Sequence, residues 1–431
     1  MSNLRSWPVV VALALAGCVE DAEGVSASAE TLSSDVGTFV DLQIDAELDT
    51  SSSTSPTTLA RQQLLFMIGQ LNGVHAVARM DKIAISNVTT MSVGGALVRV
   101  KYHAKFPVAW SAAFVPATFS FILPRNQDPA PQAAFFAQYS ASCSDGEPGL
   151  TADSYYVHYR PSRAGCSIYS GDVVTAPASK SPSSPITSTK YPEYDRVWQD
   201  HALRVVAVFA KQQQGATSAS DAGIAAYNAF LASVAAQFPG ATTTPPALPP
   251  GPGASAPDVT FDVALPGGDS VQVVALLADS VVAPPPAWAT RLGNVTRTAD
   301  LVIHAGSAEN GAAVRSLVRL YKFAAAQYQI FFFDSSDSFA YVDGELARAR
   351  AAYNPSDLTG TKFMEVVSNA MPVSFAQMNG GAMAFVRALA NRTQPKRYVT
   401  ILHDIDAAQV AVVAGEEDNT YAPPAIGPTP Q

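Results

Sequence analysis

Two apolar segments joined by a helical segment stand out in the second half of the chain. Residues 301–303 are apolar and lead into a small polar loop at 306–311. A helical stretch follows, and the apolar run 329–333 then ends in a second polar loop at 334–337. The pattern predicts a strand, a helix and a strand parallel to the first. Because ligands bind outside the carboxyl ends of such strands, we expect any active site at these two loops.

Periodic segments elsewhere predict two folded regions of different type. Helical spacing and apolar alternation are mixed in the first half, while the run 271–278 is apolar nearly throughout, as in a central parallel strand. We therefore predict an α+β N-terminal region followed by a three-layer α/β domain with a mostly parallel sheet. The predicted helices are 57–73, 129–139, 222–238, 288–292, 344–352, 362–369 and 381–390, and the predicted strands are 82–90, 96–106, 118–123, 154–161, 203–209, 259–265, 270–277 and 398–402.

Polar and Pro-rich segments predict the domain boundaries. Residues 18–56 are rich in Ser, Thr, Ala and acidic residues, which predicts a flexible tether, with short alternation at 39–48 that is compatible with a strand. Residues 241–257 are rich in Pro and predict a semi-extended linker. The predicted folded domains are therefore an α+β domain at 57–240 and an α/β domain at 258–415, followed by a disordered tail at 416–431.

Composition limits the classes of partner. The chain has 431 residues, 48% hydrophobic and 15% charged, with a formal net charge of −9. This is enough for a large core and two domains. The acidic balance argues against nucleic acid as a partner and against a polybasic membrane-binding patch. No apolar run after the N-terminus is long enough for a transmembrane helix, so we expect none.

The N-terminus has the pattern of an export signal. Arg5 is followed by a short apolar run, and this run ends in Leu15-Ala16-Gly17-Cys18. The segment resembles the lipobox of bacterial lipoproteins. The resemblance implies a signal peptide at 1–17 and attachment of lipid chains, palmitate among them, at Cys18. Val19 implies, by the family rule, the outer membrane. The alternative is an ordinary secretory signal peptide with a chance cysteine.

Two cysteines remain after Cys18. Cys143 and Cys166 are an even remainder in an exported protein, which predicts one disulfide bond. A loop of this length would contribute about 3 kcal/mol to stability in the chain-entropy model. The alternative is a pair of free buried thiols. No spacing of Cys and His indicates a zinc site.

The order of elements from 258 to 390 resembles the caspase- and gingipain-like cysteine peptidases. An edge hairpin, a strand ending in Asp279, a strand ending near Gly306 and a strand ending at 334–337 carry the resemblance. In that family, one strand ends in a catalytic His beside Gly and the next ends in the catalytic Cys. Ser307 and Ser335 stand near those places here, and no cysteine follows Cys166. The resemblance therefore implies a degenerate, non-catalytic copy of the fold.

A serine hydrolase is the competing hypothesis. His304 lies on the predicted strand before Gly306, and Ser335 or Ser336 would be the nucleophile if the imidazole reached it. Asp334, or else Asp279, would orient the imidazole. No Gly-x-Ser-x-Gly elbow accompanies the serines. A His between apolar strand residues is also typical of a structural role.

A metal site is a further alternative. Asp279, Asp334 and Asp337 follow predicted strands, and carboxylates gathered at one sheet edge would suit calcium or magnesium. Asp is equally typical of turns and helix caps. No phosphate-binding loop or dinucleotide fingerprint is present, so we expect no cofactor.

The sequence thus predicts a lipid-anchored protein of the bacterial outer membrane, periplasmic or surface-exposed. A non-catalytic binding or structural role is the leading expectation, and a hydrolase using the loops around 304–307 and 334–337 is the alternative. The expected partners are the membrane, through the N-terminal lipid, and a protein or carbohydrate ligand whose identity the sequence does not reveal. Nucleic acid is not expected.

Overall fold

The structure of the chain is a computed structural model that contains both helices and sheets. It describes residues 34, 37–111, 115–146, 150–152, 154–181, 189–341, 343–406, 409–415 and 418–423. The predicted signal peptide and Cys18 lie outside these residues. Among the described helices, none is both long and apolar enough to cross a membrane.

The first sheet is antiparallel and has six strands. Their order is β2-β4-β1-β6-β5, and β3 lies beside β4. Three helices accompany the sheet: α1 (Pro56–Asn72), α2 (Pro129–Tyr139) and α3 (Tyr155–His158). The strands are β1 (Gly37–Thr50), β2 (Ala76–Ala78), β3 (Ala84–Gly94), β4 (Leu97–Ser111), β5 (Phe119–Pro124) and β6 (Val173–Ser181).

Part of the predicted tether is an ordered strand, because residues 37–50 form the central strand β1. Leu42, Ile44 and Leu48 enter the core of the first region, while acidic residues alternate with them on the other face. Strand β1 pairs with β4 along its whole length. The acidic composition suggested a solvated segment, but the alternation with period two places the charges on the outer face of a sheet.

Helix α1 covers the inner face of this sheet. The Ser55 side chain caps it by accepting a hydrogen bond from the Thr58 backbone N–H, 3.4 Å away, and Pro56 occupies the first turn. Leu64 and Leu71 are fully buried in the core that α1 shares with the strands. The helix ends at Asn72, which lies next to the second region.

The predicted disulfide between Cys143 and Cys166 is present. It connects the segment after α2 to the segment after α3. The aromatic stretch predicted as a strand forms the short helix α3 instead, and Tyr155 and Tyr159 pack edge-on against Phe66 with ring centroids 6.2 and 5.3 Å apart. A helical turn brings both rings to one side, which an extended strand would not do.

The second sheet has eight strands in the order β14-β13-β12-β11-β7-β10-β9-β8. Four of its seven pairings are parallel and three are antiparallel, so the sheet is mixed and the prediction of a mostly parallel sheet is wrong. Both edges carry the antiparallel strands. The strands are β7 (Ala202–Ala210), β8 (Thr242–Thr244), β9 (Asp258–Ala264), β10 (Ser270–Ala278), β11 (Leu301–Ala305), β12 (Gln329–Asp334), β13 (Met364–Asn369) and β14 (Ala411–Ala414).

Alternate side chains of the central strands enter two separate apolar clusters. In β7, Val205 and Phe209 belong to a cluster with α5, α9 and α10, whereas Val206 and Val208 belong to a cluster with α6, α7 and α8. The helices are α4 (Tyr194–Val197), α5 (Ala222–Gln237), α6 (Pro286–Thr296), α7 (Ala312–Leu320), α8 (Asp343–Tyr353), α9 (Phe375–Ala390) and α10 (Tyr398–His403).

Three further predictions are corrected in this sheet. The predicted boundary at 240 is misplaced, because β7, a strand of the second sheet, and α5, which packs against that sheet, both precede it. The predicted linker contains β8, which pairs with β9. Helix and strand are exchanged at two places: residues 364–369 form β13, and residues 398–403 form α10.

Candidate functional site

The unit of strand, helix and strand that the sequence predicts is present as β11, α7 and β12. The two strands are parallel, and Ala305 lies opposite Asp334 at their carboxyl ends. The loops at 306–311 and 334–337 therefore leave the sheet at the same edge, as expected. This edge is the candidate site.

His304 lies inside β11 and is fully buried. Its Nε2 is 3.5 Å from the backbone carbonyl oxygen of Ser307, and its Nδ1 has no hydrogen-bond partner among the described residues. Burial lowers the pKa of His304 to about 4, because the imidazolium would lose its hydration. The ring is therefore neutral at physiological pH and held by the sheet.

His304 and Asp334 lie on opposite faces of the sheet. Side chains alternate along a strand, and Val302 of β11 belongs to the cluster with α7. Phe332 of β12 belongs to the other cluster, with α9. His304 follows the alternation of Val302, and Asp334 follows that of Phe332. The sheet itself thus separates the proposed base from the carboxylate that was expected to orient it.

Asp334 is buried among amides. Its Oδ1 accepts hydrogen bonds from Asn369 Nδ2 at 2.7 Å and from Gln409 Nε2 at 3.3 Å. A side chain on Gly381 of α9 would collide with Asp334 Oδ2, since an added Cβ would lie 2.6 Å from it. Burial raises the pKa of Asp334 to about 7, although both amides favour the charged form.

No hydrogen bond joins the serines of the second loop to His304. Ser336 Oγ donates to the carbonyl of Val373 at 3.2 Å and accepts from the Val373 N–H at 3.0 Å. Ser335 Oγ is buried and has no hydrogen-bond partner among the described residues. Ser338 Oγ donates to the carbonyl oxygen of Phe333 at 2.6 Å. Two of these hydroxyls therefore fasten the loop to the backbone.

Asp337 connects this loop to the first region. Its backbone is left-handed, with φ of 54°, and its Oδ2 accepts a hydrogen bond from Asn72 Nδ2 at 2.9 Å. Asn72 is the last residue of α1. Burial raises the pKa of Asp337 to about 6, against the hydrogen bond from Asn72 and the positive charge of Arg160, which lower it.

A shared apolar cluster closes the same edge. Phe339, in the 3-10 helix Ser338–Ala340, is buried, and its ring centroid lies 5.8 Å from that of Phe39 in β1. The guanidinium of Arg79 lies 4.8 Å from the centre of the Phe339 ring. Val410 and Val412 near the edge strand β14 complete the contact with β1 and β2. The first region thus covers the carboxyl ends of β12 and β13.

The three carboxylates considered for a metal site have separate partners. Asp279 pairs with Lys211, with Nζ 2.7 Å from Oδ1, and this ion pair lowers the pKa of Asp279. Asp334 and Asp337 accept hydrogen bonds from amides, as described above. Within the described parts of the chain, no group of three or more His, Cys, Asp or Glu side chains could hold a metal ion.

Sequence reasoning missed a further buried carboxyl, that of Glu365. Glu365 in β13 accepts hydrogen bonds from the hydroxyls of Tyr328 and Tyr398 and from the amide of Asn419. Burial raises the pKa of Glu365 to about 7. Asn369, Gln409 and Asn72 were missed as well. A polar residue inside an apolar run was the available signal for Glu365, whereas the partners come from distant segments.

Comparisons of the chain with family models, with curated proteins and with solved structures give no significant match.

Proposed function

We propose that this protein is a lipid-anchored protein of the bacterial envelope with a non-catalytic binding or structural role. The observation that carries the proposal is the state of His304, which is buried, neutral and hydrogen-bonded to backbone. The ligand would be a protein or a carbohydrate of the envelope, and no cofactor takes part.

A serine hydrolase needs a nucleophile, a base and an orienting group that are joined by hydrogen bonds. The base must lie within about 2.6–3.2 Å of the nucleophile, or one water away from it, and a third group must orient the base. Ser336 is bonded to Val373, and Asp334 lies across the sheet from His304. A base whose pKa is about 4 also accepts a proton only weakly at neutral pH.

The closure of the strand ends supports the same proposal. In open α/β sheets the crevice at the carboxyl ends takes the ligand. Here Asn72 and Phe39 of the first region occupy the space beside β12 and β13. Ser335 is itself fully buried, so a substrate would have to open the surrounding packing to reach it. The edge therefore serves as a contact between regions.

We also propose that residues 194–414 form a three-layer α/β domain. The support is the division of strand side chains between two apolar clusters, one with α5, α9 and α10 and the other with α6, α7 and α8. Parallel strands connected by helices favour coverage of both faces. A degenerate hydrolase-like domain is consistent with this arrangement.

A fluorophosphonate probe tests the absence of catalysis. We expect no labelling of the purified full-length chain, while a serine protease in the same reaction is labelled. Ser335→Ala and Ser336→Ala should behave like the wild type. Labelling of the wild type that either substitution abolishes would contradict the proposal and support the hydrolase.

Membrane partition tests the lipid anchor. We expect Cys18→Ala to move the protein from the membrane fraction to the soluble fraction, whereas Ser26→Ala, a matched substitution in the same segment, leaves it in the membrane. Two acyl chains or more are needed for stable anchoring, so loss of the lipidated thiol should be decisive. Continued partition of Cys18→Ala with membranes would refute the anchor.

A further inference from the structure

A pocket of about 340 Å³ opens at one end of the first sheet, where β1 and β5 end and α2 and β6 begin. Backbone hydrogen bonds fix its walls. The Asp49 N–H donates to the Arg125 carbonyl at 2.8 Å, and the Gln127 N–H donates to the Asp49 carbonyl at 3.2 Å. The buried ring of Phe135 in α2 also lines the pocket. Pockets for small molecules have volumes of about 300–1,000 Å³ and are largely preformed, and this pocket matches both properties.

The basic groups at this pocket are paired within the protein. The Asp49 carboxylate lies 2.8 Å from the Arg99 guanidinium. The Arg125 guanidinium lies 2.7 Å from the Glu47 carboxylate. Asp172 also lines the pocket, and it has no basic partner among the described residues. An anionic ligand would therefore meet no free positive charge and would be repelled by Asp172. The charges favour an uncharged ligand.

Polar atoms at the pocket are left without a partner in the described parts of the chain. Asn126 Oδ1 accepts from the Asp128 N–H at 2.9 Å, which leaves the Asn126 amide N–H groups unused. Asp172 Oδ2 accepts from the Tyr139 hydroxyl at 2.6 Å, which leaves Oδ1. Gln138 Nε2 donates to the Tyr139 hydroxyl at 2.9 Å, which leaves Oε1. Donors and acceptors thus stand side by side, and hydroxyl groups can bond to both.

An exposed aromatic ring stands at the rim of the pocket. Tyr169 is 70% exposed, and a side chain on Gly171, which lines the pocket, would collide with its ring. The Tyr169 backbone is fixed, because its N–H donates to the Tyr139 hydroxyl at 3.3 Å and its carbonyl accepts from the Asp172 N–H at 2.9 Å. A ring held in this way presents an apolar surface beside the polar atoms of the pocket.

We propose that this pocket binds a neutral carbohydrate, with hydroxyls bonded to Asn126, Gln138 and Asp172 and an apolar face against Tyr169. The inference rests on the proposed binding role, and it names the site and the class of ligand. Sugar hydroxyls both donate and accept hydrogen bonds, and the C–H groups of a pyranose ring form an apolar face. An apolar ligand would bury the same polar side chains without partners, which costs affinity.

The position of the pocket suits a glycan of the envelope better than a lipid headgroup. The chain that leads from Cys18 enters the first sheet at Gly37, whereas the pocket lies at the other end of β1, beside Asp49. Residues 37 to 49 span about 40 Å of extended strand. The pocket is therefore well separated from the end of the first region that the proposed lipid anchor would hold.

Titration with disaccharides tests the proposal. The probes are the neutral disaccharides maltose, cellobiose, lactose and N,N′-diacetylchitobiose, the anionic digalacturonic acid and the cationic chitosan dimer. We expect the purified full-length chain to bind at least one neutral disaccharide with a dissociation constant below about 1 mM by isothermal titration calorimetry. The charged disaccharides should bind about tenfold more weakly or not at all.

Two exposed side chains of the site provide the variants. Tyr169→Ala and Gln138→Ala should each raise the dissociation constant about three- to tenfold, since each removes one contact with the ligand. Tyr353→Ala and Gln212→Ala replace an exposed ring and an exposed amide of the second region, and these matched controls should bind as the wild type does. Thermal denaturation checks that every variant is folded.

The outcomes separate this proposal from the proposed function. Absence of binding by all the neutral disaccharides, tighter binding of a charged one, or unchanged binding in both Tyr169→Ala and Gln138→Ala would overturn the carbohydrate site. None of these results would affect the non-catalytic role, which the fluorophosphonate probe tests separately. Release of monosaccharides from a bound disaccharide would instead contradict the non-catalytic role and leave the pocket as the site of binding.

Discussion

The two sheets of this protein differ in the surroundings of their acidic side chains. In the first sheet, acidic residues of β1 face basic residues of β4 across an exposed surface, as Asp45 does with His103 at 3.0 Å. In the second sheet, the carboxyls of Asp334 and Glu365 are buried, and amides and hydroxyls donate hydrogen bonds to them. The first arrangement costs little desolvation, while the second raises the pKa of both carboxyls to about 7.

This difference bears on whether a carboxyl with a raised pKa indicates an active site. Perturbed carboxyls at the carboxyl ends of strands are typical of active sites. In this protein, however, Asp337 is buried where Asn72 of the first region bonds to it, and Asp334 is buried among amides of the second region. The raised pKa of Asp337 therefore follows from closure of the edge, and that of Asp334 follows from packing within the second region. Asp337 marks a contact between the two regions.

Breaking that contact should have the largest effect. Phe339→Ala removes a ring that is 1% exposed and contacts Phe39 and Arg79. We expect the free energy of unfolding to fall by about 3–5 kcal/mol, the usual loss for a buried Phe. Chemical denaturation measures it, and Tyr353→Ala, at a half-exposed ring, is the control with a loss of about 1 kcal/mol or less. Equal losses in both variants would contradict a shared core.

The disulfide should have the next largest effect, and it acts on the first region alone. Replacing Cys143 and Cys166 together with Ala releases a loop with a sequence separation of 23. We expect a loss of about 3 kcal/mol, mainly from the greater freedom of the unfolded chain. Thermal denaturation with and without reductant checks this, because reductant should destabilise the wild type and leave the double variant unchanged.

Asp334→Asn should stabilise the protein at high pH. Because the folded pKa of Asp334 is raised from 3.8 to about 7, the unfolded chain ionises this carboxyl first, and its contribution to stability falls as the pH rises from about 4 to about 7. We expect Asp334→Asn to gain roughly 2–3 kcal/mol more at pH 8 than at pH 5, and to gain least near pH 4. Urea denaturation at both pH values measures this.

Asp279→Asn is the matched control for that experiment. Lys211 lowers the pKa of Asp279, so its charged form stabilises the fold above the unfolded pKa and the stabilisation is lost as the pH falls. The substitution should therefore reduce stability at pH 8, opposite in sign to Asp334→Asn. A loss in both variants at pH 8 would show that Asp334 is ionised and stabilising.

The charged face of the first sheet should show the smallest effect. Lys105 pairs with Asp41 at 3.1 Å, and the Lys105 side chain is about half exposed. We expect Lys105→Ala to change the free energy of unfolding by about 0.5 kcal/mol or less, and less still in high salt. A loss comparable to that of Phe339→Ala would mean that surface pairs are major contributors to stability.

The sequence predicted the strands and helices whose periodicity is local. The run 329–333 ends in small polar residues, and β12 ends at Asp334 as that pattern indicates. The prediction for residues 37–50 was wrong because four acidic side chains dominate the composition, although the inward positions alternate regularly. The prediction for residues 364–369 was wrong because Glu365 interrupts an apolar run. The tyrosines that donate hydrogen bonds to the buried Glu365 lie far away in sequence.

The sequence predicted the position of the candidate site, but not the orientation of its side chains or its coverage by the first region. The alternation of side chains along β11 and β12 places His304 and Asp334 on opposite faces of the sheet. Predicting this requires the pairing register of the two strands. Coverage by Asn72 and Phe39 depends on contacts across more than 250 residues, as in the hydrogen bond from Asn72 to Asp337 with a separation of 265. No local pattern contains that information.

Titration of His304 tests the central claim most directly. Histidine-selective isotope labelling of the full-length chain, with the His304 signal assigned by its loss in His304→Gln, gives the protonation state by nuclear magnetic resonance. We predict that the signal stays unchanged from pH 8 to about pH 5, because burial lowers the pKa of His304 to about 4. A midpoint near 6.5 that moves in Ser336→Ala would contradict the account, because it would show an accessible imidazole coupled to a serine.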